Sequence, residues 1–190
     1  GILCANELIH VHGAISGPAA HGQWQSMGTG AFDQANQLST IYRPSAGDLI
    51  NGFVDLILVS TNNYGCDVPN DAVRYNFKTI PEALFTVADV CEGVNAVFND
   101  QSTMDNGTIV AWNWDFSNGI ISVTDRPLHA FATGGIYPIQ LVITSDNGCT
   151  DTIVKNLNVH FNPIANFDFT TACENNPIYF TDRSTINGGL

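Results

Sequence analysis

Three imidazoles near the start of the chain, His10, His12 and His21, come closest in type and spacing to a reactive site. His10 and His12 stand two residues apart, so a strand would carry both on one face, and His21 follows in a glycine-rich stretch, which outlines a three-imidazole metal site. Exposed histidines on a strand are the simpler account of the same pattern. Oxygen-rich turns are the second place to look. Asp100, Asp105-Asn106-Gly107, Asp115, Asn118 and Asp125 crowd one stretch of sequence. They lack a D-x-[DN]-x-[DN]-G loop with its closing Glu. Asx-Gly turns by themselves account for Asp105 to Gly107 and for Asp146 to Gly148. The expectation is no cofactor, with calcium the alternative and Asp105 and Asp115 its candidate ligands. The chain contains no G-x-S-x-G elbow, no G-x-x-x-x-G-K-[ST] loop and no H-E-x-x-H pair, so no catalytic residue is assigned and the chain is read as not an enzyme.

The elements that would have to position such groups are strands. Val110, Trp112, Trp114 and Phe116 alternate with Ala111, Asn113, Asp115 and Ser117, which predicts a half-buried strand with its aromatic face inward. Tyr137, Ile139, Leu141 and Ile143 repeat the pattern. Two such strands argue a sandwich. A tryptophan pair at this spacing also suits a sugar-stacking platform, but in a small β-domain the core role weighs more. Trp112 and Trp114 are therefore expected to be structural.

An internal repeat sharpens the architecture. Cys91-Glu92, Phe98, Asp100, Ser102 and Thr103 recur 82 residues later as Cys173-Glu174, Phe180, Asp182, Ser184 and Thr185. Asn63-Tyr64-Gly65-Cys66 is echoed by Asp146-Asn147-Gly148-Cys149 at a spacing of 83. A period of this length is one sandwich.

The run Trp112-Asn113-Trp114-Asp115-Phe116-Ser117-Asn118-Gly119, with His129-Ala130-Phe131 and Gly135-Ile136-Tyr137 after it, resembles the PKD domain, whose signature is a W-D-F-G-D-G turn followed by H-x-Y and G-x-Y. Ser117 and Asn118 stand where that pattern has Gly and Asp, and Phe131 where it has Tyr. The resemblance implies an immunoglobulin-like β-sandwich, with Trp112, Trp114, Asp115, Phe116, His129 and Tyr137 as its structural signature and a local hydrogen-bonding role for His129. Gly22-Gln23-Trp24, Gly28-Thr29-Gly30-Ala31-Phe32 and Ile41-Tyr42-Arg43-Pro44-Ser45 are similar to an Ig-like repeat of very large adhesins. There Pro44 ends a strand and Ser45 caps one helical turn, with Asp48 as reciprocal partner. The fold class expected is all-β, tandem immunoglobulin-like (PKD-like) β-sandwiches. Residues 1–77 are an Ig-like repeat lacking its first strand, 79–161 a complete PKD-like domain, and 163–190 the first strands of a second one, truncated. Together these features resemble the multi-repeat surface adhesins of Bacteroidota that leave through type IX secretion and serve gliding or attachment.

The five cysteines include no C-x-x-C pair, which favours disulfides in an oxidising compartment over a zinc site. In an immunoglobulin topology Cys91 and Cys149 fall at opposite ends of a strand, roughly 20 Å apart, beyond disulfide reach. Strand direction in consecutive sandwiches instead brings Cys4 towards Cys149 across the junction, leaving Cys66, Cys91 and Cys173 to look towards modules outside this stretch. The alternative is internal pairing, Cys4 with Cys66 and Cys91 with Cys149, at similar spacings of 62 and 58 residues. Both pairings stand open on sequence.

Six basic residues against 18 acidic ones give a net charge of −12, with no basic stripe for phosphate backbones. Nucleic acid and anionic membrane surfaces are disfavoured as partners, and no apolar run is long enough for membrane insertion. The function expected is a non-catalytic stalk or adhesive repeat segment of a large extracellular, cell-surface protein. Its partners are neighbouring modules of the same long chain and a surface polysaccharide or protein ligand. Two alternatives belong to other classes. One is a carbohydrate- or protein-binding module appended to a secreted hydrolase, for which Trp24 and Tyr64 are the candidate loop aromatics. The other is a subunit of a donor-strand filament.

Overall fold

The computed structural model describes residues 1–16, 21–61 and 69–187, and the chain divides into two compact units, Gly1–Ile80 and Pro81–Leu190. In the first unit the strands are β1 (Ile2–Cys4), β2 (Ile9–His12), β3 (His21–Ser26), β4 (Ala31–Phe32), β5 (Ser39–Arg43), β6 (Phe53–Thr61) and β7 (Asn70–Lys78), with one short helix, α1 (Ala46–Asn51), before β6. They form a four-stranded sheet in the order β1-β7-β6-β3 and a three-stranded sheet in the order β2-β5-β4. Strict alternation explains why these segments pair as they do. Val54, Leu56 and Leu58 of β6 point inward between half-exposed neighbours, and Ile9 and Val11 of β2 do the same from the opposite sheet. Trp24 and Tyr42 fill the space between them.

Pro44 stops β5, and α1 starts at Ser45 with a complete capping box. Asp48 N–H donates to the Ser45 hydroxyl, and the Asp48 carboxylate accepts from Ser45 N–H. Gly52, at φ +75°, closes the helix in the left-handed conformation, and β6 begins at the next residue.

The second unit contains β8 (Phe85–Thr86), β9 (Val90–Cys91), β10 (Asn95–Val97), β11 (Asn99–Asp100), β12 (Ile109–Asp115), β13 (Ile121–Ser122), β14 (Leu128–Ala130), β15 (Gly135–Ser145) and β16 (Thr150–His160), followed by β17 (Pro163–Ile164), β18 (Phe167–Phe169), β19 (Phe180–Asp182) and β20 (Thr185–Ile186). One ply is a five-stranded sheet, β13-β12-β15-β16-β9, and the other consists of the ribbons β8–β11 and β10–β14. Between the plies lie Phe85, Phe98, Trp114, Phe116, Phe131 and the aliphatic row Ile139, Leu141 and Ile143. The long hairpin β15–β16 keeps one register over its whole length, as expected when every second residue is apolar and a one-residue slip would expose the row.

One expected core position is corrected. Val110 is 55% exposed, and Ile109 packs against the core in its place. The register of β12 against β15 shifts between Ile109 and Ala111, so a β-bulge flips the alternation at the strand's first residues while Trp112, Trp114 and Phe116 keep the inward face.

Candidate functional site

Trp114 is wholly buried at the end of β12, its ring 5.0 Å from Phe85 and 5.6 Å from Phe98, and its indole N–H donates to the Thr124 carbonyl at 2.9 Å. The Trp112 indole N–H donates to Asp100 Oδ2 at 2.7 Å, tying β12 to the end of β11. The Oδ1 atom of Asp100 accepts from Ser102 N–H, so one carboxylate links the two plies. Beyond Trp114, Phe116 stacks on His129 at 4.5 Å, His129 meets Phe131 edge-on at 4.6 Å, and Phe131 lies 4.3 Å from Tyr137, whose hydroxyl donates to the Thr133 carbonyl. This ladder crosses from the five-stranded sheet to β14 in the other ply and returns to β15.

The turn after β12 fixes the end of that ladder. Ser117 sits at φ +59°, the left-handed region that glycine occupies more cheaply, and its hydroxyl donates to the Pro138 carbonyl. Asp115 Oδ1 accepts from Ser117 N–H at 2.7 Å, so this carboxylate is already engaged within its own turn. Asn118 Nδ2 lies 2.8 Å from His129 Nε2; the amide donates and the imidazole nitrogen accepts, which places the ring proton on Nδ1. Burial pushes the His129 pKa below its ordinary value and keeps the ring in the neutral form that this bond needs. The arrangement has the parts of a core and a clamped turn: its polar atoms point at one another.

The residues proposed for metal chemistry are not brought together. His10 and His12 do share the exposed face of β2, where His12 Nδ1 is 3.1 Å from the Ser39 hydroxyl, but His21 opens β3 in the other sheet. Asp115 ends β12, whereas Asp105 precedes the start of that strand, so the seven-residue strand separates them by roughly 20 Å. Among the described residues no group of three His, Cys, Asp or Glu side chains is placed to hold a metal ion. His160 closes β16, 3.9 Å from the Asp89 carboxylate.

Trp24 is corrected from a loop aromatic to a strand residue. It lies in β3, is 7% exposed, and donates its indole N–H to the Leu38 carbonyl, because Gly22 allows close packing beside the strand instead of marking a loop. Tyr64 and Cys66 lie outside the described residues. Cys4 and Cys149 are disulfide-bonded, whereas Cys91 and Cys173 are exposed free thiols. Cys91 pairs with His160 at the far end of the eleven-residue β16, whose first residue follows Cys149. Those two cysteines are therefore about 35 Å apart, and no bond joins them.

The most heavily bonded polar group belongs to the first unit, and the sequence showed only half of it. Asp48 is 1% exposed. Burial alone would raise its pKa, but Ser45 N–H, Thr29 N–H, the Tyr42 hydroxyl and Gly30 N–H all donate to the carboxylate and together hold it below its ordinary value. Gly28 and Gly30 carry no side chain because a Cβ on either would collide with that carboxylate. The capping box was readable from spacing; the donors from Thr29 and Gly30 arrive from the loop between β3 and β4, and that from Tyr42 from β5.

A family model described as the PKD domain matches residues 78–160. The pre-pro-metalloprotease PrtV of Vibrio cholerae serotype O1 (strain M66-2) is 28% identical over 133 residues, covering 68% of this chain and 14% of that protein. A microbial collagenase of Vibrio alginolyticus is 34% identical over 61 residues, covering 32% of this chain and 8% of that protein. Among solved structures, the PKD1 domain from the V. cholerae metalloprotease PrtV is 31% identical, with 42% of this chain and 96% of that one covered and a TM-score of 0.39. The chain thus spans about a seventh of the length of the curated relatives it matches first.

Proposed function

Because residues 78–160 are a PKD domain, we propose that the chain is a non-catalytic spacer, a stalk segment of a larger extracellular protein that needs no metal. One observation carries this reading: Trp112, Trp114, Phe116, His129, Phe131 and Tyr137 are engaged by one another, by backbone carbonyls or by the Asp100 and Asn118 side chains, and none forms a platform for a ligand. The exposed apolar side chains of the same domain, among them Val110, Ile121, Val123 and Ile136, are aliphatic and offer no stacking surface for a sugar ring. In this reading the stalk stands at the cell surface, and the resemblance of its sequence to Bacteroidota adhesins supports export by type IX secretion. No helix among the described residues is long and apolar enough to cross a membrane.

The junction of the two units is stapled in this proposal by a bond between Cys4 and Cys149. Cys149 is disulfide-bonded while Cys91 and Cys173 are free thiols, which leaves it only Cys4 and Cys66 as partners; Cys4 is itself disulfide-bonded. Such a bond closes a loop of 145 residues. In the chain-entropy account it opposes unfolding by about 4–5 kcal/mol.

A second reading has support of its own. The matched relatives are named a metalloprotease and a collagenase, which fits a module appended to a secreted hydrolase that holds its substrate. Affinity electrophoresis of the chain through gels containing soluble polysaccharides or denatured collagen separates the two. Unretarded migration in every gel is the spacer result; retardation of the folded chain in one of them supports the appended module.

A further inference from the structure

The segment 163–187 presents an apolar face to solvent: Phe167, Phe169, Tyr179 and Phe180 are each 60% exposed or more, and the rings of Phe167, Phe169 and Phe180 cluster 5.8–6.4 Å apart. Isolated two-stranded ribbons do not hold such a face in water for its own sake. The covered counterpart of this face lies 82 residues earlier in the same chain.

The two segments share the bonds that tie their paired strands together. Leu84 N–H donates to the Ser102 hydroxyl and Asn166 N–H to the Ser184 hydroxyl. The same hydroxyls donate back to the Leu84 and Asn166 carbonyls. Asp100 Oδ1 accepts from Ser102 N–H as Asp182 Oδ1 does from Ser184 N–H. Phe85 stands opposite Asp100 in β8–β11, and Phe167 opposite Asp182 in β18–β19. The turn between the strands passes through the left-handed region at Gly93 (φ +75°) and at Asn175 (φ +69°). Yet Phe85 and Phe98 are fully buried under Trp114, while their equivalents Phe167 and Phe180 are bare.

We propose that residues 163–187 are the first ply of another sandwich, closed by a downstream segment of the same polypeptide equivalent to residues 109–160, which lays a tryptophan over Phe167 and Phe180 and donates a second indole N–H to Asp182. The occupant follows from three observations. Asp100 divides its carboxylate between Ser102 on Oδ1 and the Trp112 indole on Oδ2, and Asp182 repeats the first half of that arrangement. Hydrogen bonds from the Ser184 hydroxyl and N–H hold the Asp182 carboxyl below its ordinary pKa, so it is an ionised acceptor at neutral pH. A second copy of this chain has no ply to lend, because the inner face of β12–β15–β16 is already filled by Phe85 and Phe98. The face also differs from its counterpart in volume: Val87 becomes Phe169 and Ala96 becomes Ile178. The closing sheet therefore carries smaller side chains opposite those two positions than Ile139, Leu141 and Ile143 provide in the PKD domain.

The test is a graft on the chain as it stands. Residues 1–186 are followed by a second copy of residues 105–160, which keeps the 82-residue offset, and indole N–H exchange is followed by NMR. A parallel graft carries Phe169→Val and Ile178→Ala to restore the volumes this copy was built for. Protection of the grafted Trp112 and Trp114 indoles by about a hundredfold or more over an unfolded peptide is the expected result in the second graft. Asp182→Ala should cost protection at the grafted Trp112 alone, and Phe180→Asp at both grafted indoles, with the native Trp114 unaffected. Grafted indoles that exchange as in an unfolded peptide in both grafts overturn the proposal, as does a dimer of the 190-residue chain that Phe180→Asp abolishes. The proposal rests on the spacer reading, but the two fail apart: retention in a polysaccharide gel sinks only the spacer, and unprotected grafts sink only this closure.

Discussion

The two units solve the same packing problem with opposite chemistry. In Gly1–Ile80 the loop 27–30, β5 and α1 converge on a buried carboxylate, Asp48, that satisfies four donors from four residues. In the PKD domain the plies meet through an aromatic ladder, and its carboxylates, Asp100 and Asp115, work at the edges. A buried charge fixes geometry strongly but ties the fold to pH; an aromatic ladder contributes area and shape and is nearly indifferent to it. The difference teaches that one architecture can be made specific either by a polar hub or by ring packing, and that the two leave separable signatures in stability.

The largest expected effect is in the PKD domain. Trp114→Ala removes a wholly buried ring and its bond to Thr124, and should destabilise that domain by about 3–5 kcal/mol, read as a fall in its melting temperature with the first unit unchanged. An unchanged melting temperature would break the claim that the ladder holds the plies together. Next comes Asp48→Ala, which orphans backbone donors and removes the reciprocal half of the capping box; about 2–4 kcal/mol should be lost from the first unit only. Because the folded Asp48 pKa lies below its unfolded value of 3.8, its contribution is complete above that pH and is lost as pH falls through the folded value. Acid titration should therefore unfold the first unit in a step that Asp48→Ala flattens, and a step of equal size in the variant would assign it to other groups.

A smaller effect separates the units at mildly acidic pH. His129 is held below its unfolded value of 6.5, so the PKD domain should lose a little stability as pH falls from 6.5 towards the folded value. His129→Gln should remove that slope, and its survival would place the titrating group elsewhere. Smallest of all is Ser117→Gly, where relief of the left-handed backbone offsets loss of the hydroxyl bond to Pro138, for a net change within about 1 kcal/mol. A loss well beyond that in a melt would make the hydroxyl, not the backbone angle, the reason serine occupies the turn.

What the sequence disclosed follows the range of the interactions involved. The alternation of Tyr137 to Ile143 and the capping pair Ser45 and Asp48 are written within a few residues, and both are present in the fold. The bulge that exchanges Val110 for Ile109 depends on how β12 meets β15, which no window around Val110 reports. Trp24 was misplaced because the glycines around it read as loop punctuation, whereas Gly28 and Gly30 are there for close approach to Asp48. The hub itself was half visible: its cap is local, but its other donors come from residues 6 to 19 positions away. The hydrogen bonds of Ser184 to Asn166 and Asp182 were legible because the repeat copies Ser102 and Asp100 at a fixed offset.

The account rests most directly on a stapled spacer, and single-molecule pulling on the chain from its two ends tests it. If Cys4 is bonded to Cys149 as proposed, force cannot reach the 144 residues between them until the bond is reduced. The total extension on full unfolding should therefore be shorter by about 500 Å without reductant than with it, at roughly 3.3–3.6 Å per residue. The same extension in both conditions would contradict the staple and leave the two units joined by a free linker.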